Sequence, residues 1–395
     1  MIPINTTGLS IIICSILVSL LFAYFAQKRV ELIRNNDVDT SINDNSRQAK
    51  ILMAISCFAM WLPSAFRLNV GLDNDNYLNQ FNAMTQLSNV FTYYEPGYAL
   101  LCYLCKTWFD DYQVLLFVTA MLTGCFMWRS IYKYSNSYVL CIMGYIAVNM
   151  YFMSFTVIRQ FIAVAILTTT IGSIKERKFL KFLLIWLLAV CFHYTALVFF
   201  VLYFLHSDND YFFSWKNCLI IIGTVLFFSY YDQLVGGAFT TLSVLRDGYS
   251  MYEESDTIKN LREIIFLFPI LLYALFFRKN LNQLGENNVV LTWVVILLII
   301  AKIIGIMSPV FSRIHYYFVF AGPILMSYAP KLSSQFARVF VTLAIVVYYV
   351  TCLSIITVFL VSTSSQHHCS CKCKYAHYCN FPLHKSFPPL IHLFY

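Results

Sequence analysis

The stretch VVLTWVVILLIIAKIIGIM, Val289–Met307, carries one charge, Lys302, in a run about as long as a bilayer crossing requires. Roughly 20 apolar residues in helical form span the hydrocarbon core. Further apolar runs lie along the chain at Ile11–Tyr24, Ile51–Phe66, Val114–Trp128, Tyr138–Phe152, Phe161–Ile171, Phe182–Phe192, Tyr194–Leu205, Cys218–Tyr231, Ile264–Phe277, Ile314–Tyr328 and Val339–Val361. Several approach spanning length, and the short ones come in tight pairs. Lipid forces the backbone to satisfy its own hydrogen bonds, so these runs are helices, and no period-two barrel pattern is present. The bulk composition agrees. Of 395 residues 59% are hydrophobic and 12% charged, and the mean hydropathy is +0.68. Soluble domains carry about 25% charged residues. The expected fold is all-α: a polytopic helical membrane protein with about twelve transmembrane helices.

The start, MIPINTTGLS, has no basic segment before its apolar run, so that run reads as a retained span rather than a cleaved leader. Basic clusters at Lys28–Lys50, Arg129/Lys133, Lys175–Lys181, Arg278/Lys279 and Lys331/Arg338 fall on one side, which the positive-inside rule makes cytoplasmic. Both termini then face out. That count holds only if Tyr94–Trp108 does not cross. It reads as a re-entrant or interfacial helix entered from outside, with Pro96 in its first turn. Residues 1–362 form one membrane domain. Residues 363–395 are a Cys/His-rich tail, read as disordered or non-native. Its Cys369, Cys371, Cys373 and Cys379 do not match the usual spacing of zinc ligands, so no metal is expected. The net charge of +8 accompanies no basic groove or stacking motif, so no nucleic acid is expected as a partner.

Ionisable residues at membrane depth are costly and so mark function. Here they recur at the outer ends of the runs. Arg67, Asp73 and Tyr77 follow the second run, where carboxylates and a phenol suit sugar hydroxyls. Glu95 stands among aromatics in YYEPGY, and partial burial would raise its pKa as a general base requires. Arg159 and Gln160 open a helix whose N-terminus favours anions. His193 sits in a break between two short runs, where an imidazole can move a proton or bind phosphate. Arg313, His315 and Tyr316 follow another outer turn, and Lys302 lies below it. Each also has a plain structural account: solvated loop, interfacial aromatic belt, snorkelling cation or hydrogen-bonded core histidine. The chain has no GxxxxGK[ST], GxGxxG or HExxH motif and no soluble catalytic domain, so a substrate must be presented at the membrane.

In order, Arg67-x₃-Gly71-x-Asp73-x₃-Tyr77, Glu95-Pro96-x-Tyr98, Ile158-Arg159-Gln160-x-Ile162-Ala163, the basic loop Lys175–Lys181, Ala189-x₂-Phe192-His193-x-Thr195-Ala196-Leu197 and Arg313-x₂-Tyr316-Tyr317-Phe318 resemble the EpsG-like, Wzy-type polysaccharide polymerases over about residues 60–330. The resemblance implies a GT-C-like glycosyltransferase in a bacterial inner membrane. It would join undecaprenyl-diphosphate-linked repeat units at the outer face, beside flippase and chain-length regulator proteins, with no soluble cofactor. Glu95, Asp73 and His193 are the expected catalytic residues, with Glu95 favoured as base and His193 for contact with the diphosphate. Arg67, Tyr77, Arg159, Gln160, Arg313 and Tyr316 would hold diphosphate and glycan. A flippase of lipid-linked oligosaccharide and an O-antigen ligase- or acyltransferase-like enzyme are the alternatives.

Overall fold

The computed structural model describes residues 6–371 except 36–38, 69, 72, 92–94, 206–211, 213, 237–252 and 308–310. Among these the regular structure is entirely helical. In chain order the helices are α1 (Thr6–Asn35), α2 (Asp39–Ala65), α3 (Asn74–Ala83), α4 (Pro96–Phe109), α5 (Tyr112–Tyr134), α6 (Tyr138–Ala147), α7 (Met150–Thr156), α8 (Ile158–Thr168), α9 (Ile171–Lys175) and α10 (Phe179–Phe192). They continue as α11 (Val201–Phe204), α12 (Trp215–Gly236), α13 (Glu253–Phe276), α14 (Arg278–Leu284), α15 (Asn288–Met307), α16 (Ala321–Met326), α17 (Ala329–Leu332) and α18 (Ala337–Cys371). Short 3₁₀ turns, Tyr194–Phe200 and Ile314–Tyr317, follow α10 and precede α16.

Among the described residues four helices are long and apolar enough to cross a membrane: Gly8–Ile33, Tyr112–Tyr134, Asn288–Ile306 and Ala337–Ser354. The number is six if two bent pairs each count as one span, α6 with α7 at 52° and residues 263–276 of α13 with α14 at 73°. The stretch 289–307 is therefore one helix, as its composition requires, whereas several other runs are broken into short pieces. The sequence reading treats Ser154–Ile158 as an outer turn, but α7 continues to Thr156 and only Val157 separates it from α8. The outer segment 232–262 is trimmed at both ends by α12 and α13, and its middle lies outside the described residues. The tail cysteines Cys373 and Cys379 lie outside them too.

α8 is the centre of the fold. From Ile158 to Thr168 every residue except Arg159 is buried, between α5 and α10. Its C-terminal end is tied to α5 by a 2.6 Å hydrogen bond between the Ser130 and Thr168 hydroxyls. α1 and α2 pair antiparallel beside α5, joined by Ser19 and Ser56 at 3.0 Å, with the Trp128 indole donating to Ser56 at 3.1 Å. Small polar contacts of this kind hold helices together where lipid removes the hydrophobic drive to associate. Large apolar side chains on the periphery, such as Leu17, Leu184, Leu219, Phe340 and Val347, are exposed, as a lipid-facing surface demands.

Trp61, fully buried, packs edge-on against Trp128 and Tyr151 and tilted against Tyr145, with ring centroids 5.7–6.4 Å away. This aromatic cluster locks α2 to α5, α6 and α7. Trp61→Ala should therefore cost about 3–5 kcal/mol, seen as a lowered thermal midpoint of the purified protein in detergent.

Candidate active site

The start of α4 sets the site. Pro96 occupies its first turn, where a missing N–H costs nothing, and Glu95 precedes it with extended backbone. At 14 residues α4 is about 21 Å long. Gly97 lets α4 approach the end of α10 closely: a Cβ there would lie 2.9 Å from the Cys191 carbonyl oxygen. That contact carries Glu95 to His193, which follows α10 in extended backbone where the helix breaks.

Glu95 is 6% exposed. One carboxylate oxygen pairs with the Arg159 guanidinium, from the first turn of α8. The other lies 2.8 Å from His193 Nδ1. Burial alone would push the Glu95 carboxyl up, as the sequence reading expects. The His193 hydrogen bond and the Arg159 charge outweigh it, and the carboxyl is held below its ordinary range. An ionised carboxylate only accepts hydrogen bonds. His193 Nδ1 must therefore carry the proton that faces it, and in the neutral ring Nε2 keeps its lone pair. The Glu95 carboxylate is thus held ionised, and Nε2 is the ring nitrogen of His193 left without a proton.

Around this triad the remaining candidates take distinct places. Arg159 lies over the rings of Tyr77 and Tyr98, at 5.8 Å from each centroid. Gln160 Nε2 donates to the Arg313 carbonyl at 2.8 Å, which fixes the backbone of Arg313 against α8. The Arg313 side chain stays 45% exposed, and its nearest carboxylate is Asp73, at 4.0 Å. Tyr316 packs against Phe161, and the Thr195 and Tyr317 hydroxyls meet at 2.8 Å, joining the segment after His193 to the one after Arg313. Asp73 reaches its place because Gly71 adopts φ +112°, where a Cβ would stand 2.7 Å from the Phe155 carbonyl oxygen.

Two cations are placed differently from the expected cluster. Arg67 is 5% exposed. It turns back to the end of α2, donating to the Ser64 carbonyl at 2.7 Å and hydroxyl at 2.9 Å, with Phe155 beneath it. It satisfies helix-end acceptors there. Lys302 does not join Arg313. It is buried on α15 and paired with Glu263 of α13. Glu263 escaped the sequence reading, since it directly precedes the apolar run from Ile264 and nothing in the spacing pairs it with a lysine on another helix. Thr195 and Tyr317 were legible only as motif positions. Tyr93 and Tyr94 lie outside the described residues. Among the described residues no cluster of three or more His, Cys, Asp or Glu could hold a metal.

An imidazole and a guanidinium thus meet on one buried carboxylate, a combination able to take up a proton and to hold an anion. A family model, the EpsG family, matches residues 50–368, so the chain belongs to the EpsG family. Membership gives it, in general terms, a role in polysaccharide polymerisation. No curated protein and no solved structure matches the chain.

Because the Glu95 carboxyl is held low, its charge stabilises the fold at pH above the range where a free carboxyl titrates. That contribution is lost as pH falls through the lower folded value. The thermal midpoint of the wild-type protein should drop as pH falls through and below the range where a free carboxyl titrates. Glu95→Gln should start lower at neutral pH and lose less over the same range.

Proposed function

We propose that the protein is a glycosyltransferase of a bacterial inner membrane, polymerising surface polysaccharide from undecaprenyl-diphosphate-linked oligosaccharides at the outer face. It would cross the membrane about twelve times, with α4 re-entrant, in a GT-C-like arrangement, beside flippase and chain-length regulator partners. The observation that carries this reading is the joining of Glu95, Arg159 and His193 from three elements. They lie 64 and 98 residues apart in the chain.

In this scheme His193 Nε2 takes the proton of an acceptor sugar hydroxyl as its oxygen bonds to the anomeric carbon of the donor glycan. The bond from that carbon to the diphosphate oxygen breaks, and the lipid diphosphate leaves with the electron pair. Glu95 holds the ring in the required tautomer and stabilises the imidazolium that forms, the role an acid plays behind a catalytic histidine. Arg159 keeps Glu95 ionised. Arg313, the least committed cation, meets the charge growing on the leaving diphosphate, and such placed charge is usually the largest catalytic contribution. Tyr77, Tyr316, Gln160 and Asp73 line the glycan path. Arg67 adds a buried positive charge. Its near contacts, Ser64 and Phe155, are uncharged.

A strain lacking the gene should lose the surface-glycan ladder on a gel while one repeat unit remains. Complementation with Arg159→Ala or His193→Ala should leave the ladder absent at normal protein level. Arg313→Ala should shorten or abolish it, whereas Arg313→Lys retains part of it. Wild-type ladders from both Ala variants of the first pair would remove the scheme.

A further inference from the structure

Away from the buried carboxylate, α2 and α5 bring two cysteines together. The thiols of Cys57 and Cys125 meet in a hydrogen bond. Cys57 is buried and Cys125 is exposed. α5 is one of the helices long and apolar enough to cross a membrane. From Tyr112 to Cys125 it rises roughly 20 Å, and from Cys125 to Tyr134 about 14 Å more, so the exposed sulfur faces the hydrocarbon core. We propose that Cys57 and Cys125 are a redox-active dithiol, which a quinone dissolved in the bilayer converts to a disulfide that clamps α2 to α5, a role independent of the glycosyl-transfer reading.

The packing of the two helices places the sulfurs together without any bond between them. α2 and α5 run antiparallel, and contacts on either side fix their alignment. The Gln113 side-chain amide donates to the Ala65 carbonyl. Trp61 lies directly on Gly124, where a Cβ would stand 2.5 Å from the ring. The Trp128 indole donates to the Ser56 hydroxyl at 3.1 Å. Cys57 and Cys125 fall between the last two contacts. A disulfide needs Cα atoms within about 7 Å of each other, and Gly124, beside Cys125, lacks the side chain that would hold the helices further apart. A cysteine in a packed helix face is often only a small apolar residue. Filling space does not require a second sulfur in contact with the first, nor one of the two open to lipid.

The place of the exposed thiol selects the oxidant. A charged reagent confined to water, such as oxidised glutathione, must enter hydrocarbon to reach Cys125, whereas a quinone is already dissolved there. The thiolate is the attacking form, and the hydrogen bond from the neighbouring thiol stabilises it. The Cys125 sulfur bonds to a ring carbon of the quinone, and its proton passes to a quinone oxygen. The Cys57 sulfur then attacks the Cys125 sulfur. The S–S bond forms, the carbon–sulfur bond breaks, and its electron pair returns to the ring. The Cys57 proton completes the hydroquinone. Two thiols are thereby oxidised to one disulfide, and one quinone is reduced to one hydroquinone. The bridge closes a long loop between α2 and α5, which restricts the unfolded chain and so stabilises the folded one.

The test uses the full-length protein in nanodiscs, reduced and then freed of reductant without air. Decylubiquinone, oxidised glutathione or air alone is added, the remaining thiols are alkylated in detergent, and the peptides are mapped by mass spectrometry. Decylubiquinone should join the peptides that carry Cys57 and Cys125 and remove both residues from alkylation. Oxidised glutathione at the same concentration, and air alone, should leave both free. The bridged protein should have a higher thermal midpoint than the reduced one. Cys57→Ser and Cys125→Ser should each lose the bridge. Each replaces a single atom, and the wild-type peptide map needs neither variant. A wild-type protein that decylubiquinone fails to bridge, equal bridging by oxidised glutathione or by air, or a thermal midpoint lowered by the bridge would each overturn the assignment.

Discussion

A carboxylate taken out of water must have its charge met, and how Glu95 meets that demand organises the rest of the structure. With 6% of its surface exposed, it depends on Arg159 and His193 for both oxygens. Those partners belong to α8 and to the break after α10, so the requirement of one buried charge brings three chain segments to a common point. The close packing at Gly97 and the Thr195–Tyr317 hydrogen bond help to hold that point in place. The same bonds fix the imidazole tautomer. The contact that satisfies a buried charge thus also places the ring proton of neutral His193 on Nδ1.

Much of this was legible in the sequence because it rests on local rules. Pro96 in the first turn of α4 follows from the missing N–H of proline, and Gly71 at positive φ from the freedom of a residue without Cβ. His193 between two runs too short to span comfortably signalled the break that α10 shows. Other features depended on partners that no spacing reveals. Burial alone argued for a raised Glu95 pKa, and only the arrival of Arg159 and His193 from elsewhere reverses the sign. Lys302 gave no hint of Glu263, because a pair across two antiparallel helices is set by their packing register. Helix lengths were hardest to read, since an apolar run looks the same whether it continues as one rod, like α15, or bends at Asn149 between α6 and α7.

The cations of the site differ in how firmly they are held, and the differences follow from what each touches. Arg159 is bound to a carboxylate and lies over two tyrosine rings. Arg67 is folded onto the carbonyl end of α2. Moving either would break several contacts at once. Arg313 has its backbone fixed by Gln160, while its side chain is half exposed and only 4.0 Å from Asp73. Partly exposed pairs of this kind contribute little to stability, so the guanidinium can exchange Asp73 for another anion at small cost. A firm backbone with a loosely committed head lets the guanidinium turn to another anion without disturbing α8.

The balance of charge carries the same argument further. Glu95 and Asp73 offset Arg159 and Arg313, and Lys302 is offset by Glu263. Arg67 remains, 5% exposed, with its guanidinium on Ser64 and over Phe155, neither of which carries charge. A buried surplus of one positive charge is unfavourable in the empty site and becomes favourable when an anion enters. Protonation of His193 during the proposed transfer adds a second positive charge as the diphosphate gains negative charge. On that proposal the surplus positive charge would favour the anion as its negative charge grows.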